Sequence, residues 1–271
     1  MSRQLFYLAV LFCLTLCAPV GAHSGIDEQI AAVTLQLKTE PRNAQLYLMR
    51  GELHRLHRDW TAARADFNQV AKLDATLREV EFSRGRLWLD AAQPRLAAVA
   101  FTRFLAAHRT HAEAYILRAR AYAQLKQYRA AAHDYSRAIA LLPRAKPDHY
   151  LERAAALAHA NQRAAALRSL DKAITQLGSL VTLQLKAIEI ETQLKRWDAA
   201  LVRVDLLASQ TPRKESWLFR RAEILRQAHR TYEARAAYDE AAEALAALPP
   251  AQRHTKAMDE LAAQIQSALA H

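Results

Sequence analysis

Eleven histidines are the first residues of this 271-residue chain that could do chemistry. His54 and His57 stand three apart, as do His108 and His111. Either spacing would bring two imidazoles together on one helical turn, as a metal pair requires. His23 would add an amine and an imidazole for copper if processing made it the first residue. Against a metal centre, His57 falls in a turn and neither pair has a third histidine close by in sequence. Nucleophilic and group-transfer chemistry fares no better. There is no HExxH, no GxSxG, no phosphate loop and no dinucleotide fingerprint. The carboxylates are scattered as solvated faces scatter them, with no isolated pair for acid–base work. The expectation is a non-enzyme with no cofactor and no metal.

The cysteines point the same way. Cys13 and Cys17 both lie in an N-terminal segment with the layout of a secretory signal. Arg3 supplies the charge, Leu5 to Ala18 is an uncharged apolar run, and Val20-Gly21-Ala22 precedes a cut after Ala22. The run is short of the roughly 20 residues that span a bilayer; retention as an anchor is the alternative reading. Leu16 before Cys17 disfavours a lipid anchor, which wants a small residue there. Removal of residues 1–22 takes away one charge, Arg3, so the net charge of +11 falls to +10. It also leaves a chain without thiols, bound for an oxidising compartment yet held by packing alone. The expected location is periplasmic or secreted.

What remains must be helical. Gly numbers only five, Ala and Leu dominate, and β-branched residues are few, so helical turns cost little throughout. Residues 119 to 143, ARAYAQLKQYRAAAHDYSRAIALLP, show two apolar stripes of helical period, broken at Lys126-Gln127 and ended by Pro143. That is a helix hairpin, and its register returns every 34 residues. Gly51, Gly85, Ala119, Ala154, Ile188 and Ala222 hold a first small position. Ala63, Ala97, Ala131, Ala166, Ala200 and Ala234 hold a second, twelve residues later. Phe67, Phe101, Tyr135, Leu170, Val204 and Tyr238 follow, and Trp60, Tyr128 and Trp197 precede the second Ala by three. One inserted residue near Lys146 separates the third copy from the fourth.

A 34-residue period with these residue types resembles the tetratricopeptide repeat family. The resemblance covers about six copies, 44–77, 78–111, 112–145, 147–180, 181–214 and 215–248, roughly three quarters of the chain. It implies an all-α, right-handed α-solenoid of helix hairpins with a concave inner face. Residues 23–43 would form an N-terminal lead-in helix, from Ile26 to Thr39. Residues 249–271 would form a C-terminal capping helix, from Gln252 to Ala270, with Ala262, Ile265 and Leu269 inward. In this family His54 takes the place of a packing Tyr, which turns it from a ligand into a core residue.

The family lines its groove from the second, fifth, ninth and twelfth residues of each copy, one face of the first helix. The fifth position here reads Leu48, Phe82, Ile116, Leu151, Leu185 and Phe219, all apolar. Two readings stay open for them: packing against neighbouring helices, or an apolar stripe that meets a partner's side chains. The charged lining positions are Arg55, Arg86, Arg120 and Arg226 against Glu52, Glu79, Glu113, Asp148, Glu189 and Glu223. Four cations against six anions, in a basic chain, exclude a nucleic-acid groove, which would gather its cations inside. The surplus positive charge falls in turns and second helices, either as a plain solvated surface or as a face toward anionic membrane or wall polymer. Leu48 and Glu52 also stand where carboxylate-clamp members of the family have Lys and Asn, so that clamp is missing. Arg50 with Asp66, and Arg118 with Asp134, are sixteen apart and read as ties between the two helices of a hairpin. The resemblance implies a scaffold that binds an envelope protein or a peptide segment in the groove. The alternative is an adaptor using its basic exterior.

Overall fold

The computed structural model describes residues 24–270; the expected signal segment, 1–22, lies outside them. Every regular element among the described residues is a helix. In chain order they are α1 (Ser24–Thr39), α2 (Ala44–Leu56), α3 (Trp60–Leu73), α4 (Glu79–Asp90), α5 (Pro94–Ala107), α6 (Ala112–Gln124), α7 (Tyr128–Leu141) and α8 (Pro147–His159). There follow α9 (Arg163–Leu177), α10 (Val181–Gln193), α11 (Trp197–Ser209), α12 (Glu215–Gln227), α13 (Thr231–Ala246), α14 (Pro250–Arg253) and α15 (Lys256–Leu269). None is long and apolar enough to cross a membrane. The chain forms two compact units that divide after Gln93.

In the first unit α2 packs on α3, with α1 and α4 against them. Ala63, Phe67, Val70, Val80 and Leu87 make its core, flanked by Tyr47, Leu48, Trp60 and Trp88. Gly51 sits over the Phe67 ring so closely that a Cβ there would lie 2.5 Å from a ring carbon. The ring fills the space that a side chain at 51 would take. In the second unit each helix from α5 to α13 packs on the next, and α15 closes against α13. Its C-terminal core runs from Ile188 through Val204, Ala222, Leu225 and Tyr238 to Leu261 and Ile265.

The link after each first helix is three residues long and built the same way every time. Arg58, Ala92, Lys126, Asn161, Lys195 and His229 all adopt positive φ, between 54° and 64°. They recur every 34 residues, with one step of 35 between Lys126 and Asn161. The following N–H, of Asp59, Gln93, Gln127, Gln162, Arg196 or Arg230, donates to the carbonyl five residues back at 2.7–2.9 Å. This is the Schellman closure, which satisfies the orphan carbonyls of the first helix and reverses the chain at once. Glycine is the usual residue at such a position. Its absence here hid the turn geometry from the sequence.

The C-terminal segment differs from the single helix expected from Gln252. It breaks at His254, because Thr255 caps α15 by accepting from the Met258 N–H. Leu261 and Ile265 are its buried residues, with Ala262 and Leu269 half-buried beside them.

Gly51→Ala should destabilise the chain by about 1–3 kcal/mol, since the fully buried Phe67 ring must leave its rotamer to admit one methyl group. Urea unfolding followed by circular dichroism checks this, with Gly25→Ala, in open space, as the neutral comparison.

Candidate functional site

A step of two residues along a helix turns the side chain by about 200°. The first helices therefore carry two different faces, one at the fifth position and one two residues beyond it. The second face holds the hairpin ties. Arg50 donates through Nε and Nη2 to Asp66 at 2.9 and 2.7 Å, and through Nη1 to Thr34 on α1 at 3.2 Å. Arg118 does the same to Asp134 at 2.7 and 2.9 Å and to Thr102 on α5 at 3.1 Å. Both expected ties are thus present. The carboxylate partner holds each guanidinium above its usual pKa against the opposing pull of burial.

The other face carries the lining residues. In the first unit Leu48 and Phe82 are half-buried, and the Arg86 guanidinium lies 5.9 Å over the Phe82 ring. Arg55, read from the sequence as a lining cation, is only 7% exposed. Its Nε donates to Glu52 at 2.8 Å and its Nη1 to Asp90 on α4. Glu52 also faces Arg86 at 3.8 Å. A partner would meet the rings and aliphatic chains here before any free charge.

The second unit repeats the pattern. Ile116 is buried at 7% exposure, so it packs against its neighbours and offers little to a partner. Arg120 donates to Glu152 on α8 at 2.9 Å. Glu189 accepts from Lys186 at 2.8 Å, and Leu151 and Leu185 are half-buried. Near the C-terminal end Arg226 grips Glu223 at 2.8 and 3.2 Å, and the Tyr238 hydroxyl donates to the same carboxylate. Phe219 tilts against Tyr238 with ring centroids 5.8 Å apart.

Two clefts meet at Phe219 and Glu223. The larger, about 830 Å³, is walled by Phe219, Glu223 and Arg226 of α12, Ala234, Arg235 and Tyr238 of α13, and Ala268 and Leu269 of α15. The smaller, about 370 Å³, is walled by Leu185 of α10 and by Trp217, Phe219 and Glu223 of α12. Of the lining residues singled out in the sequence, Leu185, Phe219, Glu223 and Arg226 come together here. Trp217, Tyr238 and the α15 wall were not foreseen. Tyr238 was legible as a packing residue, but which cleft it walls depends on where α15 docks.

The histidine pairs have structural duties. His57 Nε2 lies 3.3 Å from Asp27 on α1, and His54 Nε2 lies 3.9 Å from Asp66. His108 stacks on Phe104 at 4.4 Å. His111 caps α6 by accepting from the Ala114 N–H at 3.1 Å. Among the described residues no three His, Cys, Asp or Glu side chains are grouped as metal ligands.

The fold is that of the tetratricopeptide repeat proteins. The C-terminal part of a repeat protein of this kind from Cytophaga hutchinsonii superposes with a TM-score of 0.68 at 14% identity, over 88% of this chain and 95% of that one. A tetratricopeptide repeat protein from Parabacteroides merdae gives 0.54 at 13%, over 90% and 93%. PilW, a widely conserved type IV pilus biogenesis factor, gives 0.54 at 21%, over 69% and 86%. No protein-family model matches the sequence, and no curated protein matches it.

Burial and the Glu223 carboxylate together push the Tyr238 phenol up to about 12. Glu223→Gln should bring that phenol down toward the ordinary value near 10, since the negative charge opposing its ionisation is gone. An ultraviolet phenolate titration of the variant against the parent, differenced, reads the shift.

Proposed function

We propose that this chain is a non-catalytic scaffold that binds an apolar segment of a protein partner along the first helices of its second unit, with Leu185 and Phe219 as anchors. The observation that carries this reading is the meeting of two clefts at Phe219, beside which Glu223 and Arg226 are already paired with one another. A half-exposed ring between two concavities is the kind of anchor that dominates protein interfaces. With Glu223 occupied by Arg226, and Glu189 by Lys186, the energy comes from apolar burial and changes little with salt.

The proposal includes a location. The charge and hydropathy layout of residues 1–22 supports export and removal after Ala22, which would make the partner an envelope protein. PilW, a type IV pilus biogenesis factor, shares the fold, and the parallel with pilus assembly is one of fold alone.

Two experiments follow. Crosslinking in cells with the parent and with Leu185→Ser/Phe219→Ser should lose a specific partner band in the variant, with helical content retained. A band kept by the variant, or one that fades steeply between about 0.05 and 0.5 M salt, would favour the basic exterior instead. Intact mass of the protein recovered from cells should correspond to a chain beginning at His23; a mass retaining residues 1–22 refutes removal after Ala22 and favours the retained anchor.

A further inference from the structure

The arginine face of the first helices contains an unfilled position. In α2, α4, α6, α8 and α12 an arginine follows the fifth-position residue by two, as Arg50, Arg84, Arg118, Arg153 and Arg221; Arg84 and Arg221 have alanines sixteen residues on and pair instead with Glu81 and Asp205. Arg50 and Arg118 each take a two-pronged carboxylate from the residue sixteen further on, Asp66 and Asp134. Sixteen residues beyond Arg153 stands Ser169, on α9, where the carboxylate group is replaced by a single hydroxyl. The two groups left behind are stranded. Arg153 Nε and Ser169 Oγ are both buried and neither has a hydrogen-bond partner. Ser169 is 5% exposed.

The electrostatics agree with the geometry. Burial draws the Arg153 guanidinium below its usual pKa, opposed only by the Tyr150 phenol. Its counterparts Arg50 and Arg118 are drawn above theirs by their aspartates. A buried guanidinium nitrogen without an acceptor, at the repeat position where two other hairpins hold a carboxylate, is an anion site in chemical terms.

We propose that the Arg153–Ser169 position binds a carboxylate supplied from outside the chain, seated as Asp66 and Asp134 are seated in their hairpins. The incoming group accepts from the guanidinium through one oxygen and from the Ser169 hydroxyl through the other. The site is two residues round from Leu151, so it faces away from the lining residues and is independent of the apolar anchors. The group comes either from a free small acid or from an aspartate or glutamate on a bound protein.

Thermal unfolding in sodium acetate against sodium chloride at equal ionic strength tests this, acetate being the aspartate side chain in free form. The parent should gain about 2 °C, saturably, in acetate alone. Ser169→Asp, which fills the position from within, should start higher and lose the acetate response. Asp134→Ser, which copies the gap into α7, should show a larger response than the parent. Arg153→Met should lose it, and serves if Ser169→Asp does not fold. An acetate response equal in the parent and in Ser169→Asp or Arg153→Met overturns the proposal, as does no response in the parent to either acetate or blocked aspartate. Tighter binding of N-acetyl-aspartate amide than of acetate identifies an acidic residue as the source; the reverse identifies a free acid.

Discussion

Two helices close to backbone contact only where neither carries bulk at the crossing, and this protein is built on that constraint. Gly51, Ala119, Ala154 and Ala222 on first helices, and Ala63, Ala131, Ala166, Ala200 and Ala234 on second helices, are all buried at the crossings. Larger groups then fill the grooves beside them, Phe67 in one hairpin, Tyr135 and Tyr238 in others. Close approach also fixes the turn. Helices this near can be joined by three residues only if one of them takes the left-handed conformation, which costs a residue other than glycine roughly 1–2 kcal/mol. Arg58, Ala92, Lys126, Lys195 and His229 accept that cost because the packing on either side leaves no other path.

Charge plays a secondary part that the totals conceal. A net charge of +11 suggests a cationic surface looking for an anionic partner. In the fold much of that charge meets a carboxylate of the same chain. Arg203 shows how far this goes: it donates to Glu191 and Gln184 on α10 and to Asp171 on α9, at 2.5–2.9 Å. Three successive helices are registered by one guanidinium, and the 2%-exposed Glu191 is kept from being a lone buried anion. Exposed pairs such as Arg230 with Glu233 are screened by solvent and serve chiefly to cancel charge. The lining face is therefore apolar in character even where its residues are nominally ionic, as with Arg55 between Glu52 and Asp90.

The repeat, the helix pairs and the sixteen-residue ties were legible because each is a local spacing. An alanine every twelve and 34 residues, or an arginine sixteen before an aspartate, is visible without coordinates. For Arg55, read as a lining cation, and Ile116, for which packing and lining both stood open, the sequence could not decide for the opposite reason. Their exposure depends on the neighbouring helices: Arg55 turns toward Asp90 on α4, and Ile116 is covered to 7%. The turn residues escaped notice because lysine, arginine and histidine announce solvent and say nothing of a positive φ.

By itself, the sequence determined that the chain is helical, that its hairpins repeat, and which side chains stand at the crossings, since these follow from period and residue size along one chain. Only the tertiary structure decided which charges are spent on one another, where two clefts share Phe219, and that Arg153 Nε and Ser169 Oγ are buried without a partner. Those are distances between helices far apart in sequence, and they come into being only when the pieces dock.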